Sequence, residues 1–435
     1  MTPQKVTKVA QNEGQTLLPG DTQTSVVTED TGAGQSYDNF GIGDVYHYVT
    51  KADGTIASPV TVDKSNAKVT TADGTDVTDQ FNVTIVPDTK LNGDEVYEVL
   101  AMAKDPSALP ENTTYHLTVT ADVMNDHSVD TETDTGFSLI NDQITTTDDH
   151  NYPEAELDPT KEVVANTTDN TNIDGKTIVI GTTFDYKLNS SKLPANHGDD
   201  TSEWGLNDTF DITHDSFTGT WHAYTNYDLT LKDGSTIKAG TDISNYFTEA
   251  YNASTGKFSV QATQDFLALL NTATNKKNTQ QFTVYAEVNR IAAGDQIANT
   301  VAETYNNQDN NSNTVHTTTP NNPTPTKTVT DEDGNDADNG NVARGDKLDY
   351  VVSWDLTGLQ NLAYNTVDIA KGVSIYDDYD EAKVKADTMN FDVVDANGDS
   401  IINDVNVAWD NDNGAWTVSA KDAQAFVDKY AGQKL

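Results

Sequence analysis

The chain has 435 residues and a formal charge of −43, a length that predicts about three domains. That charge repels phosphate backbones and argues against nucleic-acid binding. The lack of cysteine removes disulfides, thiol catalysis and Cys-based zinc sites, and no apolar run approaches the roughly 20 residues that cross a bilayer. Apolar residues are 35% and charged residues only 22%, so Thr, Asn, Gly and Ser fill the remainder. This composition is suited to several small β cores and not to one large one. The Met1 start lacks the basic and apolar segments of a signal peptide.

Internal repetition organises the predicted elements. The first copy opens on Pro3-Gln4-Lys5-Val6, the second on Pro159-Thr160-Lys161-Glu162-Val163 and the third on Pro325-Thr326-Lys327-Thr328-Val329. In the first copy a short acidic strand, GIGDVYHY from Gly41, leads into TTADGTDVTDQFNV from Thr70 and closes with YHLTVTADV from Tyr115. The linker NYPEAELDPTK follows. The second copy continues with IVIGTTFDYKL from Ile178, where Phe184, Tyr186 and Leu188 alternate as in a strand. Its acidic strand is GLNDTFDI from Gly205, its turn block GTDISNYFTEAYN from Gly240, and its helix QATQDFLALLNTA from Gln261. Closing strands begin with QFTVYAEV from Gln281. After the linker TTTPNNPTPTK, the third copy repeats the pattern. VARGDKLDYVV starts at Val342, SIYDDYDE at Ser374, FDVVDANGDSIIND at Phe391 and the helix SAKDAQAFVDKYA at Ser419. It stops there, so its closing strands are expected in a longer parent protein. Asp-Gly and Asn-Gly pairs between alternating runs signal hairpin turns. The expected domains are 3–157, 158–322 and 323–435. The expected class is all-β: tandem immunoglobulin-like β-sandwiches with one short helix each, arranged as an elongated stalk.

Five stretches carry a family resemblance: PTK-x-V, the Gly-x-x-x-x-Tyr strand, SWDLTGL at Ser353, IAKGVSIYDDYDE at Ile369 and IANTVAETYNNQDNNSNTV at Ile297. In this order they resemble the C-terminal domains of the streptococcal antigen I/II adhesins, a surface module of streptococci and lactobacilli. The third copy matches best over its length, the second at its ends, and the first is divergent. The resemblance implies an extracellular, cell-wall-associated adhesin segment, monomeric and elongated, with signal and anchor outside it. The implied partner is a host or bacterial surface glycoprotein or matrix protein.

The resemblance also implies an intramolecular isopeptide bond in each domain, joining a first-strand Lys to a last-strand Asn with the help of an Asp. Burial against aromatic side chains favours the neutral, nucleophilic amine. A protonated Asp hydrogen-bonds the carboxamide and shuttles the proton as ammonia leaves. Contact inside a dry core supplies much of the rate. Carried over, the second domain offers Lys161, Asp208 and Asn299, with Asn313 as rival to Asn299. The third offers Lys327 and Asp377, with Asp355 as rival acid and its Asn beyond Leu435. The first offers Lys5 and Asp44, with Lys8 as competitor. Where Asn299 aligns, the first domain reads SVDTETDTG from Ser128, without Asn. There Asp130 would form the same amide by losing water; otherwise the domain lacks the bond or uses another residue.

Other chemistry is sparse. The runs DEDGNDADNGN, DANGDS and DNDNG leave calcium as an alternative to ordinary turns, but none has the spacing of a calcium-binding loop, and no metal ligand or cofactor is assigned. Eight scattered His, with no H-E-x-x-H, G-x-S-x-G or phosphate loop, argue against an enzyme beyond the single-turnover cross-link. Trp204, Trp221 and Tyr224, with His222 and Tyr227, form an aromatic run that either contacts a ligand or fills its own core. Three readings stand side by side: adhesin stalk, direct glycan- or protein-binding module, and ancillary region of a secreted glycan-active enzyme.

Overall fold

The computed structural model describes residues 5–435 except 12, 51–53, 125–130, 368 and 370–371. Alternating apolar and polar residues produce strands with one buried face, and pairs of sheets close over those faces. The first unit stacks two sheets. One runs through Thr7–Ala10, Thr22–Asp30 and Thr114–Val123. The other runs through Gln143–Thr146, Thr131–Ile140, Phe40–His47, Asp94–Ala103 and Phe81–Leu91. Between them lie Val27, Phe40, Ile42, Tyr46, Val99, Tyr115 and Leu117, all essentially buried.

The second unit repeats this plan. A four-stranded sheet orders Thr160–Val164, Thr183–Asn189, Phe282–Arg290 and Asp215–Thr225. A five-stranded sheet orders Phe247–Asn252, Lys257–Ala262, Trp204–Thr209, Val301–Tyr305 and Gln308–Asn311. Phe184, Tyr186 and Leu188 all point into the core, as their alternation predicts. The third unit has a two-stranded sheet, Thr326–Asp331 with Leu348–Ser353. Its three-stranded sheet runs Ser374–Asp378, Ala415–Ala420, Val405–Asp410. The architecture is all-β and immunoglobulin-like, with two short α-helices among the described residues.

Those helices start where the sequence caps them. α1, Gln264–Leu270, begins at Thr263, whose hydroxyl accepts from the Phe266 N–H. α2, Ala423–Tyr430, begins at Asp422, which accepts from the Ala425 N–H. Each such side-chain cap contributes about 1 kcal/mol. Phe266, Leu267, Leu269 and Leu270 dock α1 on the second core, and Phe426, Val427 and Tyr430 dock α2 on the third. In the first unit the segment before the Thr114–Val123 strand holds only a one-turn 3-10 helix, Pro106–Ala108, opened by Asp105.

Candidate functional site

The opening strand Thr160–Val164 alternates in burial, and Lys161 and Val163 face inward. On the facing sheet, Trp204, Leu206 and Asp208 point the same way from Trp204–Thr209. Period-two alternation therefore puts a lysine and a carboxylate where apolar side chains belong. Both side chains are fully buried, and Lys161 Nζ bonds Asp208 Oδ2. The Tyr186 ring lies beneath the amine, with Nζ 4.3 Å from its centroid. Asn299 ends the strand Gly294–Asn299, is 5% exposed, and turns its carboxamide toward the same carboxylate. Asn299 Nδ2 and Asp208 Oδ1 have no well-formed hydrogen bond among the described residues, and buried polar atoms seldom stay unpaired.

Electrostatics suit an uncharged pair. Burial lowers the Lys161 pKa, and Asp208 only partly restores it. Burial raises the Asp208 pKa against the opposing pull of Lys161. Both shifts favour a free amine beside a protonated acid. Asn313, the rival, serves another purpose. Its side chain accepts from the Lys161 N–H at 2.8 Å and donates to the Lys161 carbonyl at 2.9 Å, which clamps the opening strand.

A buried network that none of the repeated motifs signals holds the Tyr186 ring. Its hydroxyl donates to Asp215 Oδ2 at 2.8 Å. Arg290 Nε donates to Asp215 Oδ1 at 2.7 Å, and the guanidinium also donates to Thr317 and Thr319 at 2.8 and 2.7 Å. Arg290 and Asp215 are fully buried. The available signal was Arg290 itself, which ends the apolar run Phe282–Arg290 and is one of only two arginines in the chain.

In the third unit Lys327 pairs with both oxygens of Asp377, at 2.7 and 3.0 Å, over the Tyr350 ring at 4.7 Å. The Lys327 side chain is 35% exposed. Asp355 is turned away and accepts from the Thr357 N–H and hydroxyl.

The first unit requires a correction. Lys5 is exposed, and the buried lysine opposite Asp44 is its competitor Lys8, 2.6 Å from Asp44. Lys5 and Lys8 are an odd number of residues apart, so strand alternation turns them to opposite faces. Asp44 occupies its expected place. Asp130 lies outside the described residues, and the carboxylate beside Lys8 on the closing strand is Asp134, also at 2.6 Å.

The aromatic run also divides. Trp204 is 1% exposed, and its indole N–H donates to Glu303 at 2.6 Å, so it belongs to the core and not to a ligand surface. Trp221 is half-buried against the same core. Tyr224 lines an open groove of about 690 Å³ with Asn170, Lys187, Asn189, Asn226 and Tyr285. The Asp-rich runs fold as turns: Asp331 accepts from the Asp333 and Asn335 N–H groups, and Asp395 from those of Asn397 and Asp399.

Comparison with known proteins places this geometry. Residues 158–320 match the family described as cell surface antigen C-terminus, and residues 325–435 match the cell surface antigen I/II C2 terminal domain. An aggregation substance of Enterococcus faecalis is 46% identical over 281 residues, which is 64% of this chain and 22% of that protein. The chain thus spans about a fifth of that relative's length. The C-terminal domain of the Streptococcus agalactiae antigen I/II polypeptide BspA aligns with a TM-score of 0.58 and 22% identity, over 72% of this chain and 100% of that one. The C-terminal domain of the Streptococcus pyogenes antigen I/II-family protein AspA aligns with a TM-score of 0.61 and 22% identity, over 72% of this chain and 99% of the other. At that identity these structures show the shared fold.

Proposed function

Because the chain belongs to the antigen I/II type of Gram-positive cell-surface adhesin, we propose that it is a stalk segment of three domains, 3–157, 158–322 and 323–435, that presents an attachment surface and whose second domain locks itself covalently. The lock in the second domain is an amide between Lys161 and Asn299. One observation carries this reading: Lys161, Asp208 and Asn299 converge in a buried pocket over the Tyr186 ring.

The residues divide the chemistry among themselves. Uncharged Lys161 Nζ attacks Asn299 Cγ while Asp208, protonated, donates to the carboxamide and polarises it. Asp208 gives its proton to the amide nitrogen of the new adduct and takes one back from the attacking nitrogen. The C–N bond to the old amide nitrogen breaks, and ammonia leaves. The reaction occurs once, and Asp208 ends as it began. The attachment partner belongs to the same proposal: a surface glycoprotein or matrix protein, met by an extracellular chain held at the cell wall.

Mass spectrometry of the digested chain tests the lock. The expected product is one branched peptide joining Lys161 to Asn299, lighter than its two linear parts by one ammonia. Asp208→Ala should leave both peptides linear. Linear peptides in the unaltered chain would remove the cross-link and leave an adhesin of the same fold without it.

A further inference from the structure

Strand register shows what the first unit has in place of Asn299. In the second unit Asp208 lies opposite Val301, and Asn299 stands two residues before Val301. In the first unit Asp44 lies opposite Gly136, and the residue two before Gly136 is Asp134. The lysines correspond as well. Lys161 lies opposite Leu188, two residues past Tyr186, and Lys8 lies opposite Val27, two residues past Ser25. The first unit therefore holds the same three positions, with an aspartate as the electrophile.

We propose that Lys8 and Asp134 form a lysine–aspartate amide, with Asp44 moving the proton and water as the leaving group. The three side chains are fully buried, and Lys8 Nζ lies 2.6 Å from both carboxylates. Gly136 allows this close approach: a Cβ there would stand 3.3 Å from Lys8 Cβ and 3.0 Å from the Val27 side chain. Each carboxylate has its own support. Gln23 donates to Asp134 at 2.7 Å, and Ser25 donates to Asp44. Glu132, buried beside them, has no hydrogen bond on either oxygen among the described residues.

Burial and neighbouring charges shift every pKa named here. Burial, opposed by Lys8, pushes Asp134 up to about 7. Burial and the neighbouring Asp134 push Glu132 well above the usual carboxylate range. Burial works against the Lys8 charge, but Asp44 and Asp134 outweigh it and raise the Lys8 pKa. The step therefore starts from an ion pair, and a proton first passes from Lys8 to Asp134. The free amine then attacks Cγ of the neutral acid, and the N–C bond forms. Asp44 accepts a proton from nitrogen and returns it to the hydroxyl, the C–O bond breaks, and water departs. No oxidant or external reactant is needed.

Digestion of the full chain with trypsin and tandem mass spectrometry reads the result. Trypsin should skip Lys8, and a branched peptide should join residue 8 to residue 134, lighter than its linear parts by one water. Asp134→Asn should lose ammonia and reach the identical branched peptide, because both precursors give the same amide. Cleavage after Lys8 with linear peptides in the unaltered chain overturns the proposal. A branch from Lys8 to Asp44 overturns it equally. The Lys161–Asn299 peptide is read separately in the same digest by its loss of ammonia, so failure of one pair is distinct from failure of the other.

Discussion

At the scale of single residues, the three lysines differ by what lies two positions from their strand partners. Tyr186 and Tyr350 put an aromatic face under Lys161 and Lys327, whereas Ser25 puts a hydroxyl near Lys8. Lys8 also has a ring near it, Tyr46 at 5.8 Å, so the ring alone does not set the three apart. Burial lowers both amines, but Asp44 and Asp134, both 2.6 Å from Lys8, outweigh it there, whereas Asp208 does not at Lys161, so the pKa of Lys8 rises and that of Lys161 falls. Another buried acid adds a pH response of its own. Asp21 is fully buried, accepts from the Leu18 N–H at 2.9 Å, and is covered by Gly198 of the second unit, where a Cβ would meet Asp21 Oδ2 at 2.8 Å. Burial pushes its pKa from 3.8 up to about 7. Between those values the folded chain holds a proton that the unfolded chain has released, so stability falls as pH rises through this window. Asp21→Asn carries no such proton. The stability difference between the unaltered chain and Asp21→Asn should slope between pH about 4 and 7 and flatten above. Urea midpoints across that range check it, and a difference independent of pH would refute it.

At the scale of strands and helices, much could be read from the sequence because the repeats reinforced one another. The alternation of Phe184, Tyr186 and Leu188 and the two helical stretches from Gln261 and Ser419 are local patterns, and the structure keeps them. The same is true of the short acidic strands that carry Asp44, Asp208 and Asp377. What escaped depended on register. Anchoring the first copy on its proline selected Lys5, although the inward position is Lys8. The closing strand of that copy was likewise read around Asp130, although pairing with Phe40–His47 brings Asp134 to the lysine. The buried Arg290–Asp215 pair was hidden for a related reason, since it joins Phe282–Arg290 to Asp215–Thr225 across the sheet. Removing one member of a buried pair typically costs about 3–5 kcal/mol because the other charge is stranded. Arg290→Met should therefore destabilise the second unit by about that much, while Arg290→Met with Asp215→Leu should recover most of it. Denaturant unfolding of the two variants decides the matter. Equal losses would mean that the cost lies in packing and not in the stranded charge.

At the scale of the whole molecule, a chain with a formal charge of −43 repels itself, and small cores of Thr- and Asn-rich strands offer limited apolar burial against that repulsion. A covalent tie between the opening and closing strands supplies what the cores do not. On the entropic account of cross-links, closing a loop of well over a hundred residues stabilises the fold by about 4–5 kcal/mol, by restricting the unfolded chain. It also changes how tension travels. A pull entering at Lys161 crosses to Asn299 through the bond and bypasses the strands between them. Asn299→Ala isolates this contribution, because it removes the electrophile and leaves the Lys161–Asp208 pair intact. The variant should unfold about 4–5 kcal/mol more easily in guanidinium than the unaltered chain and be cut faster by protease above ambient temperature. An unchanged midpoint, in a chain whose mass shows the bond, would mean that the unfolded ensemble was already compact. The cross-link would then serve force-bearing alone.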